Sequence, residues 1–435
     1  MNIKRIDGHS VSVQGWMIAG ICVLIILGIL VGHLQYVALL CSAAVLLFCT
    51  PKTQLCLMFM LMSFANVFKS APGTQSFFTI ITMLYVFRHY LGKRRVSYPV
   101  FIVLVFGVEI FMVQLLRGTI DTAKSVKLIF NLLFLFAACD DFQQEWLKDI
   151  SLYYICGVEL ASLTKACGLF PQLSLYTGEL YGEIIGGVSV YRFTGLYNDP
   201  NYYSINLILA LCILVCLYDK KLLSGQATAV LSTPLLVFVG MTGSKSALLM
   251  LFLPIVLLTY SNSKNRKYFY QVIFVIACVF VVLYVFSGKV EVFNKTIDRL
   301  LLAKNGDSLT TGRTAIWKDY FDYLLTELGT LLIGKGVGAD FLHGHAAHNT
   351  VIETVYHLGL IGGIVVVYTC ACIFDRSNYI EKKNIMNYSL LLCLLPMYLF
   401  VSQLFSYDIV FQLFLASCFY IESFVSPWKR PQLSN

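Results

Sequence analysis

Apolar residues along this chain gather into runs long enough to cross a bilayer, separated by polar connections that are mostly short. A spanning helix needs about 20 apolar residues, and fewer where the helix kinks or the bilayer thins. Runs of this kind lie at 13–31, 34–49, 54–69, 76–91, 98–116, 125–139 and 150–166. Seven more lie at 201–218, 227–242, 245–260, 268–287, 348–374, 386–403 and 408–425. The second, third, ninth and tenth are the shortest or most interrupted, so the pattern predicts an all-α integral membrane protein, a polytopic bundle of about 12–14 transmembrane helices. The first run resembles a signal peptide, but no small-residue cleavage site follows, and it reads as the first span.

Two polar connections are long, 167–199 and 287–347. They divide the chain into N-terminal transmembrane helices (1–166), a core that carries both long loops (167–375), and C-terminal transmembrane helices with a tail (376–435). No internal repeat is visible, which weighs against a transporter built from duplicated halves.

Charge sets the orientation. The chain carries a net +8, dealt out between apolar runs and not gathered on one soluble face, so the expected partner is the lipid bilayer and no nucleic acid. Alternating the spans from Lys4 and Arg5 puts every dense basic cluster on one side: Lys93 to Arg95, Lys220 and Lys221, Lys264 to Lys267, Arg376 with Lys382 and Lys383, and Lys429 with Arg430. By the positive-inside rule that side is cytoplasmic. Both termini are therefore expected in the cytoplasm and both long loops outside it. At 58% hydrophobic and 13% charged, the composition excludes an ordinary soluble enzyme. The 14 cysteines form no C-x-x-C pair and read as small packing residues, with neither a disulfide framework nor a zinc site expected.

Loops carry chemistry when a scaffold holds them. The first long loop ends Tyr191-Arg192-Phe193-Thr194-Gly195-Leu196-Tyr197-Asn198-Asp199-Pro200-Asn201. Asn198 or Asp199 can cap the helix that follows, and Pro200 suits its first turn. A helix N-terminus with Arg192 upstream is an anion site in the making, and equally an ordinary capped helix with an interfacial arginine. In the second loop, Arg313 shares a helical face with Ile316, Trp317, Tyr320 and Leu324. A cation in a first turn opposes the helix dipole, so Arg313 calls for an anionic partner or an escape to water.

Further on, Gly334-Lys335-Gly336-Val337-Gly338 lacks the spacing of a phosphate loop and reads as a turn. Four of the seven histidines fall between 343 and 357. His343, His345 and His348 lie close enough to ligate a metal, but no cysteine or H-E-x-x-H helix accompanies them, and no metal or other cofactor is expected. Asn349, Glu353 and His357 follow at four-residue steps on one face of the next span, where interhelical hydrogen bonding accounts for Glu353 and His357. His348, beside a helix N-terminus, is expected neutral and able to accept a proton. Glu109 and Glu159 are paired or proton-handling groups without an assigned role.

In order and position these segments resemble the O-antigen ligase and polymerase superfamily over residues 185–370. The matching pieces are Arg192 to Gly195 with Asp199-Pro200-Asn201, Thr242-Gly243-Ser244-Lys245, Gly312-Arg313 with Trp317, Gly336-Val337-Gly338, and His348-Asn349. Lys245 stands where that family commonly has arginine, and His343 and His345 are outside its pattern.

The resemblance implies a metal-independent glycosyltransferase in the bacterial cytoplasmic membrane. Its donor would be a polyprenyl-pyrophosphate-linked glycan, and its acceptor another glycan. The implied catalytic residues are His348, Arg313 and Arg192, with Lys245, Asn349, Asn201 and Trp317 binding substrate. It further implies other polysaccharide-assembly proteins as partners. Polymerisation of repeat units is the expected reaction, ligation of finished polymer to lipid A core the alternative. A glycolipid flippase or transporter is the competitor from another class, disfavoured because the distinctive cations sit in outer loops.

Overall fold

In a computed structural model, the apolar runs become helices whose ends fall where the sequence supplies caps. The structure describes residues 10–91, 93, 97–168, 181–185, 188–244, 313–375 and 406–420, with isolated residues at 173, 175, 247, 250, 251, 390, 394, 398 and 404. The spans expected at 268–287 and 386–403, nearly all of that at 245–260, and the loop residues 287–312 lie largely or wholly outside the described residues.

The helices are α1 (Ser10–Gly28), α2 (His33–Phe48), α3 (Pro51–Met62), α4 (Phe77–Tyr90), α5 (Tyr98–Arg117), α6 (Thr122–Asp141) and α7 (Leu147–Ala166). After an antiparallel hairpin of β1 (Tyr181–Ile185) and β2 (Val188–Arg192) come α8 (Pro200–Asp219) and α9 (Gly225–Thr242). Then follow α10 (Arg313–Thr326), α11 (Leu328–Ile333), α12 (Thr350–Asp375) and α13 (Asp408–Tyr420). Among the described residues, five helices are long and apolar enough to cross a membrane: α5, α6, α8, α9 and the Thr350–Cys372 part of α12. The chain has the helices of a multi-pass membrane protein.

Two sequence expectations change. The first long loop is not irregular throughout, because its hairpin pairs Tyr181 with Arg192 and Ile185 with Val188. This delivers Arg192 at a strand end. The third run gives only the 12-residue α3, since the chain turns at 63–67. Its middle is buried on every side, so α3 reads apolar as an interior element and not as a full-length span.

The span expected at 348–374 is one helix broken at Gly359, whose φ is +69°. The break frees the carbonyls of Tyr356 and His357 from intrahelical bonding. The glycine turn after α11 takes them up: Lys335 N donates to Tyr356 O (2.8 Å) and Gly336 N to His357 O (3.1 Å). His357 Nδ1 lies 3.0 Å from Gly336 O, so His357 bonds a loop and not a neighbouring helix as expected. Gly334 lies so close that a Cβ there would stand 2.3 Å from His357 O, and a Cβ on Gly359 2.3 Å from Leu332 O. The turn reading therefore holds, with the turn serving as a packing junction.

Because both glycines also have positive φ, Gly334→Ala and Gly359→Ala are each expected to cost about 2–4 kcal/mol. At Gly363 an added Cβ meets nothing nearer than 3.7 Å, so Gly363→Ala is the control. Thermal unfolding of the purified protein in detergent checks this, and equal midpoints for all three variants would refute the junction.

Candidate functional site

Asp199, and not Asn198, caps α8: its Oδ1 accepts from Asn201 N at 2.6 Å, with Pro200 at the first position. The first turn of α8 thereby presents Asn201 to Arg192. Arg192 is only 4% exposed, a costly place for a cation unless its plane is fixed by acceptors. Its Nε donates to Thr242 O (2.9 Å) and an Nη to Asn201 Oδ1 (3.1 Å). Ser244 Oγ also donates to Asn201 Oδ1, at 2.9 Å. Two segments the sequence singled out separately, Tyr191 to Asn201 and Thr242 to Ser244, thus meet at one amide. Asn201 Oδ1 accepts from both Arg192 and Ser244. Gly243, left-handed at φ +56°, ends α9 so that Thr242 O is available to Arg192. Lys245 and Gly312 lie outside the described residues.

The second half of the site is built by α10. Its apolar face is the predicted one, with Tyr320 and Leu324 buried and Ile316 and Trp317 packed beside them. Trp317 Nε1 donates to Ala347 O (2.7 Å), and Tyr320 OH donates to His345 O (2.8 Å) while accepting from Leu342 N (3.1 Å). The segment before α12 is therefore pinned to α10 immediately before His348. Asn349 caps α12, its Oδ1 accepting from Val351 N (2.9 Å) and Ile352 N (3.1 Å). Between Ala347 and Asn349, both fixed, His348 adopts a φ of +49°. That conformation costs a non-glycine residue roughly 1–2 kcal/mol. Neither ring nitrogen of the half-buried His348 has a hydrogen-bond partner among the described residues. A strained backbone presenting an uncommitted imidazole is an arrangement typical of reactive sites.

Electrostatics joins the two halves. His348 senses the charges of Arg313, Asp199 and His345. Tyr202, next to Asn201 on α8, senses those of Glu353, Asp199 and Arg313. The His348 imidazole is held below its ordinary value, by burial first and then by Arg313, with Asp199 opposing. The expected neutral state is favoured, with burial and Arg313 as its causes. His343 and His345 are exposed. Among the described residues no three His, Cys, Asp or Glu side chains gather in a metal-ligating cluster. Glu109 stands apart, lining a small cavity with Val113, Gly336 and His357. Sequence reasoning missed the anchoring by Thr242 and Ser244, and the part played by Asp199 beyond its cap. The T-G-S segment was the only signal for the first two.

The lowered value has a measurable consequence. Diethylpyrocarbonate acylates neutral imidazole, so modification of His348 should persist below the ordinary histidine value of 6.5 and fall off only at lower pH. Removing the Arg313 charge takes away one lowering influence, so in Arg313→Ala the fall-off should move to higher pH. Peptide mapping by mass spectrometry reads both curves. A parent profile centred at or above the ordinary value would refute the electrostatic coupling.

Comparison with family models, with curated proteins and with solved structures gives no match to this chain. What the described residues define is a helical multi-pass membrane protein in which Arg192 is anchored at the N-terminus of α8 and His348, just before α12, lies within electrostatic reach of Arg313 and Asp199.

Proposed function

We propose that the chain is a metal-independent glycosyltransferase that takes a polyprenyl-pyrophosphate-linked glycan as donor and a sugar hydroxyl as acceptor. It works on the outer face of the bacterial cytoplasmic membrane and polymerises repeat units of an O-antigen, capsule or exopolysaccharide. One observation carries the reading. The charges of Arg313 and of Asp199, the α8 cap beside the Arg192–Asn201 contact, both reach His348, which stands just before α12 and has no hydrogen-bond partner among the described residues. That combination suits a reaction whose leaving group is a pyrophosphate and whose nucleophile must lose a proton.

In the reaction, the acceptor oxygen bonds to the anomeric carbon as the bond from that carbon to the pyrophosphate oxygen breaks. The hydroxyl proton passes to His348, and the electron pair leaves with lipid pyrophosphate. Arg192, Arg313, Lys245 and the Asn201 amide stabilise the charge that develops there, while Trp317 and Asn349 hold His348 in place.

The test is transfer by the purified protein with EDTA present, using undecaprenyl-pyrophosphate glycan extracted from a strain lacking this gene. Chain lengthening on the lipid carrier is the expected result, whereas transfer only to lipid A core oligosaccharide would make the protein a ligase. Movement of donor across a liposome membrane without a new glycosidic bond would sink the proposal in favour of a flippase.

The orientation is a further expectation. Cysteines placed at Lys318 and Asp322 should react with an impermeant maleimide in intact spheroplasts, and one placed at Lys264 only after lysis. The reverse pattern would overturn the outer-face assignment.

A further inference from the structure

A second buried polar group lies deeper in the bundle and is not absorbed by the proposed chemistry. Lys127, on α6, holds its Nζ over the ring of Tyr407, 3.7 Å from the centroid. The next residue, Asp408, opens α13, is 4% exposed and lies within electrostatic reach of Lys127. Asp408 accepts from Tyr197 OH at 2.8 Å and from Ser406 Oγ. Tyr197 is itself buried, and it sits in the middle of the segment that runs from Arg192 to Asn201.

Ionised groups among apolar helices are costly, and they persist where they are mutually compensated and do work. Here Lys127 lies over the Tyr407 ring and within electrostatic reach of Asp408, whose carboxyl accepts from the Tyr197 and Ser406 hydroxyls and is also hydrogen-bonded with Asn206. The end that faces the loop is a phenol donating to a buried carboxyl at 2.8 Å. The loop therefore has its two ends tied to the site and its middle tied to α6 and α13.

We propose that Lys127, Asp408 and Tyr197 form a neutral post that fixes the Arg192–Asn201 loop, and so are positioning residues for the anion site. The inference rests on the proposed pyrophosphate chemistry for its consequence, but the post itself is independent of that reading. Loss of the Tyr197 bond should free the loop. Loss of one charge should do more, because the other is left buried and uncompensated. Removing both charges together should restore the post, since the asparagine of Asp408→Asn still accepts from Tyr197 and the side chain of Lys127→Met still fills the volume.

The experiment uses the full chain in detergent, with inorganic pyrophosphate as probe in calorimetric titration and hydrogen exchange read on the 193–201 peptide. Tyr197→Phe, Lys127→Met and Asp408→Asn should each weaken pyrophosphate binding by about tenfold or more and speed exchange of that peptide. The Lys127→Met/Asp408→Asn double variant should return both readings to within about threefold of the parent, the recovery expected when a charge pair is removed whole. Helix content by circular dichroism identifies any single variant that fails to fold, in which case the double variant against the parent and Tyr197→Phe decides.

Single variants with parent-like affinity and exchange would overturn the post. A double variant as weak as Lys127→Met with a normally protected loop would also overturn it, making Lys127 a direct anion ligand. A parent that binds no pyrophosphate sinks the proposed anion site, and exchange alone then decides the post.

Discussion

Arg313→Lys is expected to lower glycan transfer nearly as far as Arg313→Ala, by roughly two to three orders of magnitude. The reason is geometric. A guanidinium grips two phosphate oxygens at once in a fixed plane, whereas an ammonium is a point charge on a flexible stem. Arg313 starts α10 half-buried and on the face that packs toward His348, where a cation has no gain from the helix dipole. Arg192→Lys should be at least as damaging, because one lysine nitrogen cannot reach both Thr242 O and Asn201 Oδ1 as the guanidinium does.

The measurement is turnover with purified lipid-linked donor at matched protein level. The split between turnover and donor affinity then sorts the roles. A contact made only as charge develops on the leaving group lowers turnover, whereas one made equally with bound donor raises KM. Full activity in Arg313→Lys would mean an arginine that merely reaches for lipid headgroups.

How far the sequence carried the structure can be read from single residues. The start of α8 was legible because capping is local, with Asn198 or Asp199 before Pro200, whereas the capping by Asn349, which the sequence placed on a face of the span, emerged only in the structure. The face of α10 was legible because a 3.6-residue period survives in 14 residues. The break at Gly359 was not legible. A glycine inside an apolar run looks like any other until the Gly334–Gly338 turn is seen to claim the freed carbonyls, a contact between segments.

The site was half legible for the same reason. Arg192, Asn201 and Ser244 each sat in a segment that drew attention, but their meeting at a single amide is tertiary. Lys127 and Asp408 stand near the ends of apolar runs and belong to no motif. Only packing reveals that Tyr197 ties them to the loop.

His348→Ala should abolish transfer, while His343→Ala and His345→Ala should leave most of it. Three histidines in six residues look alike in sequence, yet the fold treats them differently. His343 and His345 are exposed, and the His345 carbonyl, not its ring, anchors Tyr320. His348 is half-buried between two pinned neighbours, and among the described residues its imidazole has no hydrogen-bond partner. Burial and Arg313 keep that imidazole neutral, which is the state a proton acceptor needs.

Loss of a general base commonly costs a factor of about 10²–10⁴. Because Arg192 and Arg313 remain, the loss in His348→Ala should fall on the chemical step, with donor affinity close to the parent's. His348→Gln separates two versions of the role, since an amide can orient a hydroxyl but cannot take its proton. Partial activity in the glutamine variant would indicate orientation, and activity as low as alanine would indicate proton transfer. A metal centre predicts something else, with all three alanine variants failing together and EDTA silencing the parent, because each ligand lost opens the coordination shell. Transfer assays on the variants with and without EDTA decide between these outcomes, and equal loss across the three histidines would move the chemistry from a lone base to a metal.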